Sequence, residues 1–180
     1  VPGHQAVASS RHSVVRTVHE RSQTTPVSLV SLDDYARRSG AWPDVLKVDI
    51  EGSEYAALLG AREIVARSHP DWVIETHPRQ MVGEGASLGA LCTLLEQEDG
   101  YPLFDLLSGE MLTAPVFTAR YQAAPGYLLA SLRLRNAAFV DQLQALHRTW
   151  VTRYAGPAAQ VDPETLVQAR DLVAAGRFEA

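Results

Sequence analysis

Cysteine is nearly absent from this sequence. Cys92 is the only one among 180 residues, so neither an intramolecular disulfide nor a cysteine metal cluster can form. A small apolar residue packed on a helix is the expectation for it. No apolar run approaches the roughly 18 residues that a bilayer crossing requires, and the opening residues lack the basic-then-apolar pattern of a leader. The expected compartment is the cytoplasm. Clustered positive charge is missing too. Sixteen Lys and Arg stand against twenty-one Asp and Glu, a net charge of −5, and short pairs such as Arg37-Arg38 do not make the cationic surface that phosphate backbones need. Nucleic acid is therefore not an expected partner.

Several catalytic signatures are also absent. Gly83-Glu84-Gly85 lacks the following strand-to-helix context and the Lys-Ser or Lys-Thr pair of a phosphate-cradling loop, and no Gly-x-Ser-x-Gly elbow occurs. His4, His12, His19, His69 and His147 share no ligand spacing, so no metal site built on histidines is expected. The acids could hold a divalent cation through oxygen, but no loop alternates them as a calcium site does, and no metal is assigned.

What is present suits a soluble globular chain, 46% hydrophobic and 21% charged, long enough for one domain with an appendage. Residues 1 to 28 read as irregular, with a strand-like piece at 13–18. Ser31 or Asp33 can cap a helix that runs to Ser39 and stops at Gly40. Val45 to Ile50 reads as a short parallel strand covered on both faces. A helix over 53–59 follows, with Tyr55, Leu58 and Leu59 on one face, Gly60 as its left-handed stop and a resumed turn over 61–67. Asp71 to Glu75 is a second strand, completing a parallel strand-helix-strand unit.

Further on, 88–98 is helical to a stop at Gly100, and 101–107 is a strand candidate. Ser108-Gly109-Glu110 forms a turn, and the strand-like stretch 121–134 makes an antiparallel pair with the 101–107 segment. The tail differs: 136–154 is a helix with Phe139, Leu143, Leu146 and Trp150 on one stripe, and Asp162 caps a last helix resembling the start of a tetratricopeptide unit. Such a stripe serves core packing, pocket cover or a homodimer contact.

In an open parallel sheet, ligands collect beyond the carboxyl ends of the strands. Asp49, Glu51 and Glu54 follow the first strand here, and Glu75 and His77 follow the second. Gly52 permits a tight strand-to-helix turn, and the helix amino end favours nearby carboxylates. A plainer account competes. Glu51 or Ser53 caps the helix, Asp49 holds a loop amide, Lys47 is a surface residue or carboxylate partner, and His77 is a turn residue. Acids closing two neighbouring apolar strands are costly unless they bind something, which favours function for Asp49 and Glu51.

The blocks Ser31-Leu32-Asp33-Asp34-Tyr35, Leu46-Lys47-Val48-Asp49-Ile50-Glu51-Gly52-Ser53-Glu54, Leu59-Gly60-Ala61 and Val73-Ile74-Glu75-Thr76-His77-Pro78 occur in this order. Order and spacing resemble the FkbM-type methyltransferase family over about residues 9 to 132, with Gly100-Tyr101 and Phe104-Asp105-Leu106 resembling its next strand. The resemblance implies an S-adenosylmethionine-dependent methyltransferase on a Rossmann-like class I α/β sheet, acting on a hydroxyl of a small-molecule, sugar or lipid-like acceptor. It implies strands four to seven of that sheet in 1–132 and a helical extension in 133–180. The family's upstream glycine-rich cofactor loop has no counterpart in these residues, so a fragment joined to an upstream cofactor-binding half is the expectation. A sheet without its central strand would expose the 45–50 edge. By the same resemblance Asp49, Glu51, Glu75 and His77 are the catalytic candidates, with Asp49 or His77 as base and Glu51 and Glu75 as positioning groups. Asp49, Glu51 and Gly52 are the candidate cofactor contacts. A non-catalytic α/β scaffold is the competing expectation.

Overall fold

The computed structural model describes residues 28–154, so the expected strand piece at 13–18 and the expected helix after Asp162 lie outside the described residues. Within them the elements run α1 (Leu32–Ser39), β1 (Val45–Val48), α2 (Glu54–Leu59), α3 (Arg62–Ser68), β2 (Asp71–Thr76), α4 (Pro78–Gly83) and α5 (Leu88–Thr93), the last continuing as a wide π-type turn over Leu94–Glu98. There follow β3 (Leu103–Asp105), β4 (Glu110–Leu112), α6 (Ala114–Arg120), β5 (Gly126–Ala130), a 3₁₀ turn (Leu132–Arg135) and α7 (Ala137–Tyr154). No helix among the described residues is long and apolar enough to cross a membrane.

One five-stranded sheet in the order β1-β2-β5-β3-β4 organises these elements. β1 and β2 are parallel, Val45 facing Asp71 and Val48 facing Ile74. β5 runs antiparallel to both β2 and β3, so β3 points the same way as β1 and β2. The expected strand-helix-strand unit and the expected antiparallel pair are both present. β4 was not expected: Glu110 starts a strand that pairs back onto β3, because Gly109, at φ +73°, reverses the chain in place of a loose turn.

Side-chain alternation divides the core between the two faces of the sheet. Trp72, Ile74, Leu103, Leu128 and Ala130 face one way, into a core shared with Leu58, Ile64, Leu91 and Leu95 of the helices. Val73, Phe104 and Leu129 face the other way, where Phe139, Val140 and Leu143 of α7 cover them. The expected α7 stripe therefore splits. Phe139 and Leu143 pack on the sheet, whereas Leu146 is 68% exposed, and at that turn of the helix His147 instead meets the β3–β4 turn, its Nε2 2.9 Å from the Leu107 carbonyl oxygen. Cys92 is fully buried within α5, and burial pushes its thiol up to about 12, consistent with the packing role expected of it.

Helix ends explain much of the local geometry. Ser31 Oγ accepts from the Asp34 amide at 3.0 Å, and Gly40 closes α1 in the left-handed region. Asp33 does something further: its carboxylate accepts from the Glu63 and Ile64 amides, each at 3.0 Å, at the start of α3. One buried acid thus ties α1 to the amino end of a distant helix, whose partial positive charge favours it.

Four expectations need correcting. Gly60 is not a left-handed stop. Its φ is −81°, and the chain turns from α2 straight into α3 while Ser31 Cβ comes within 3.3 Å of where a Gly60 Cβ would lie. Leu59 is exposed and does not share the buried face of Leu58. The 121–134 stretch is extended only over β5, because Tyr121 ends α6 and Ser131 accepts from the Arg133 amide to start a 3₁₀ turn. The expectation that β1 is covered on both faces also fails at its start. Val45 is 60% exposed and only Val48 is buried, since β1 is the last strand on its side of the described sheet.

Candidate functional site

β1 and β2 are parallel neighbours, so their carboxyl ends open at the same rim, and the turn after each delivers acids there. The turn after β1 is tight. Glu51 takes φ +55° and Gly52 φ +112°, a succession that only glycine tolerates at the second position. A Cβ on Gly52 would lie 2.5 Å from Gln80 Cβ and 2.8 Å from the Gln80 carbonyl carbon, because α4 crosses directly over the turn. Gly52→Ala combines a forbidden φ with overlap against backbone, at a combined cost of about 3 kcal/mol. Thermal unfolding followed by circular dichroism is expected to show a midpoint lowered by about 10 °C.

Directly after β2, residues 78–83 form α4, an element the sequence pattern does not mark. His77 is its N-cap residue and Pro78 occupies its first turn, the position where the missing proline N–H costs nothing. This short helix holds Gln80 over the Gly52 turn and fixes the backbone of His77 at the strand mouth.

The side chains then converge. One ligand-type atom from each of Asp49, Glu75 and His77 lies within 4.8 Å of the other two. The His77 side chain is 5% exposed, and its Nδ1 sits 2.8 Å from Glu54 Oε1. Glu54 is fully buried at the start of α2, and the same oxygen accepts from the Gly52 amide at 3.0 Å. A carboxylate only accepts, so Nδ1 carries the hydrogen and donates it. His77 Nε2 then faces the rim, 3.6 Å from Glu51 Oε2 and 3.7 Å from Glu75 Oε1. The Glu54 hydrogen bond raises the affinity of His77 for a proton; burial opposes it, and the surrounding charges of Glu54, Glu51 and Glu75 add to the rise.

Each acid is held differently. Glu75 is buried, and Tyr127 Oη donates to its Oε1 at 2.9 Å from the facing position on β5. Asp49 is partly exposed, with Lys47 Nζ at 3.0 Å, because residues two apart on a strand share a face. Glu51 is the exposed member, reached by Gln80 Nε2 at 3.5 Å. Neither Glu51 nor Ser53 caps α2; Ser53 makes no side-chain capping bond.

All four catalytic candidates, Asp49, Glu51, Glu75 and His77, are thus at one rim, and Gly52 shapes the turn beside them. Two contributors carried weaker signals. Glu54 belongs to the acidic string, but nothing in its spacing marks it as the buried partner of His77. Tyr127 reads only as an apolar strand centre, since its contact with Glu75 depends on β2–β5 register across about 50 residues.

A family model described as the methyltransferase FkbM domain matches residues 2–103, more than half of the chain, from before α1 to the first residue of β3. No curated protein and no solved structure matches the chain.

Proposed function

This chain belongs to the FkbM methyltransferase family, and from that premise we propose that it is an S-adenosylmethionine-dependent enzyme methylating a hydroxyl of a small-molecule, sugar or lipid-like acceptor. The observation that carries this reading is the meeting of Asp49, Glu75 and His77 within 4.8 Å at the carboxyl ends of two adjacent parallel strands, where open α/β sheets place their chemistry.

Strand order supports it. We read β1, β2, β3 and β5 as the fourth to seventh strands of a Rossmann-like sheet, with β4 as an added hairpin strand. In this reading the last strand, β5, is the reversed one inserted between β2 and β3, and the uncovered side of β1 is where the sheet continues. Residues 1–132 then form the methyltransferase portion, and α7 in the extension from 133 covers its second face.

The rim suits the cofactor by the chemistry of its groups. S-adenosylmethionine supplies, when bound, a methyl group on a positively charged sulfur, and carries an ammonium and two ribose hydroxyls that donate hydrogen bonds. Asp49 and Glu51 are acceptors beside the turn that Gly52 makes possible, and they would hold such donors. A hydroxyl acceptor is a poor nucleophile while it keeps its proton. His77 Nε2 and the Asp49 carboxylate are the groups placed to take that proton, and the Glu54 contact holds the imidazole with Nε2 outward. Glu75, fixed by Tyr127, orients the acceptor.

Calorimetric titration of the polypeptide as encoded with S-adenosylmethionine tests the reading. Micromolar binding is the expected result. Absence of binding by the folded chain overturns it in favour of a non-catalytic scaffold.

A further inference from the structure

We propose that Asp49, Glu75 and His77 together bind a divalent metal cation, through one oxygen of each carboxylate and Nε2 of the imidazole. Their mutual separations of at most 4.8 Å are close to what two ligands on opposite sides of one ion span, given metal–ligand bonds of about 2.0–2.3 Å. A small side-chain adjustment closes the remaining gap.

The histidine makes this more than a group of acids. Its side chain is 95% buried, the complement of its 5% exposure, and Nδ1 is committed to Glu54. That leaves Nε2 without a hydrogen bond, aimed at carboxylate oxygens 3.6 and 3.7 Å away. Carboxylates on this side of the ring favour a positive centre at Nε2, and a dication that takes the place of the proton there answers the imidazole and both ligating carboxylates at once.

The supporting contacts fit the same role. A carboxylate behind a ligating histidine fixes its tautomer and raises its basicity, which is the place of Glu54. Tyr127 does the equivalent for Glu75 by occupying its Oε1 lone pair at 2.9 Å. Two carboxylate oxygens and one imidazole nitrogen suit a first-row dication such as Mn²⁺ better than Ca²⁺, which takes oxygen ligands in larger number. Three protein ligands also leave coordination positions open.

The use of the site rests on the methyl-transfer reading, although binding of the ion does not. A dication beside an acceptor hydroxyl lowers the pKa of that hydroxyl. With the ion bound, Asp49 and His77 act on the acceptor proton through it and not as its direct acceptors: the O–H bond breaks, its electron pair stays on the acceptor oxygen, and the proton passes to a neighbouring carboxylate. Glu51, exposed and 3.6 Å from Nε2, is the carboxylate able to exchange that proton with water.

Mn²⁺ alone, titrated into the complete chain and followed by the electron paramagnetic resonance of the free ion, is the test. One saturable site is expected, weakened about tenfold or more in Asp49→Asn, in His77→Gln and, through the imidazole, in Glu54→Gln. Wild-type protein provides a readout that no folding defect can obscure. Of the six histidines, the His77 ring resonances should be broadened by Mn²⁺ ahead of the other five. No saturable binding, affinity unchanged in both Asp49→Asn and His77→Gln, or equal broadening of all histidines each overturns the proposal. S-adenosylmethionine calorimetry without metal separates the two readings. Cofactor binding without Mn²⁺ binding removes the metal site alone, and Mn²⁺ binding without cofactor binding removes methyl transfer and leaves the site standing.

Discussion

Replacing His77 with alanine is expected to lower methyl-transfer turnover by about two to three orders of magnitude, the range over which a positioned proton acceptor acts. The measurement is transfer of labelled methyl from S-adenosylmethionine to a hydroxyl acceptor by the polypeptide as encoded. Asp49→Asn is expected to fall by a similar factor, because the amide keeps the shape of the side chain but loses the charge facing the rim. The two differ in cofactor affinity. His77 is held 2.8 Å from Glu54 and is not among the cofactor acceptors, so His77→Ala should change S-adenosylmethionine affinity little. Asp49→Asn should weaken it together with turnover. Groups that act as a unit are not additive, and the double variant is expected to be little worse than the poorer single one. Undiminished turnover in both single variants would refute the assignment.

The parts of the site that were legible in the sequence are those created by local chain geometry. A short apolar strand closed by Asp49, Glu51 and Gly52 announces a sharp turn wherever it occurs, and a second strand ending in Glu75 and His77 announces the neighbouring mouth. Parallel pairing then brings the two ends together, as the β1–β2 register shows. Glu54 is different. It reads as one more acid at a helix start, but it is fully buried because α4 folds over the Gly52 turn and turns His77 onto it. α4 was itself unreadable: Pro78 to Gly83 is a single short segment whose helical state depends on packing Met81 into the core.

The same division runs through the fold. Ser31, Gly40 and the helix stop at Gly100 follow from side-chain and backbone preferences acting within a few residues. The exposure of Leu59 and Leu146, and the docking of Asp33 on α3, depend on what lies across the core. Periodicity finds a stripe, but which residue of each turn faces the sheet depends on what lies beneath, and at that turn of α7 it is His147, against Leu107 and Gly109. Asp33 shows how a residue in a family-like block can be structural: its two amide acceptances at 3.0 Å secure the helix behind the site and touch nothing at the rim.

Asp105→Ala is expected to destabilise the protein more than any change at the rim, by about 3–5 kcal/mol, the cost of leaving the Leu107 amide and the Ser108 and Tyr121 hydroxyls without their shared acceptor. Asp105 is fully buried at the end of β3. Its carboxylate accepts from the Leu107 amide at 2.9 Å, Ser108 Oγ at 2.8 Å, Arg120 Nη1 at 2.9 Å and Tyr121 Oη at 2.7 Å. These contacts join the β3–β4 turn to the end of α6. Burial, then the Asp105 contact, raise the Tyr121 hydroxyl well above its ordinary value, so it stays a neutral donor and loses its acceptor when the carboxylate goes. Arg120 keeps Glu110 at 2.9 Å, but that carboxylate is exposed and its pairing is screened by water. Chemical denaturation should therefore show a midpoint lowered at unchanged slope, with a thermal midpoint lower by about 10–20 °C. Asp105→Asn keeps an acceptor for the Leu107 amide at the Oδ1 position and presents its side-chain NH2 to the Ser108 and Tyr121 hydroxyl oxygens, which can accept from it, and should recover part of that loss. If Asp105→Ala unfolds within 1 kcal/mol of wild type, roughly the effect of a surface substitution, the cluster does not hold β3 to α6.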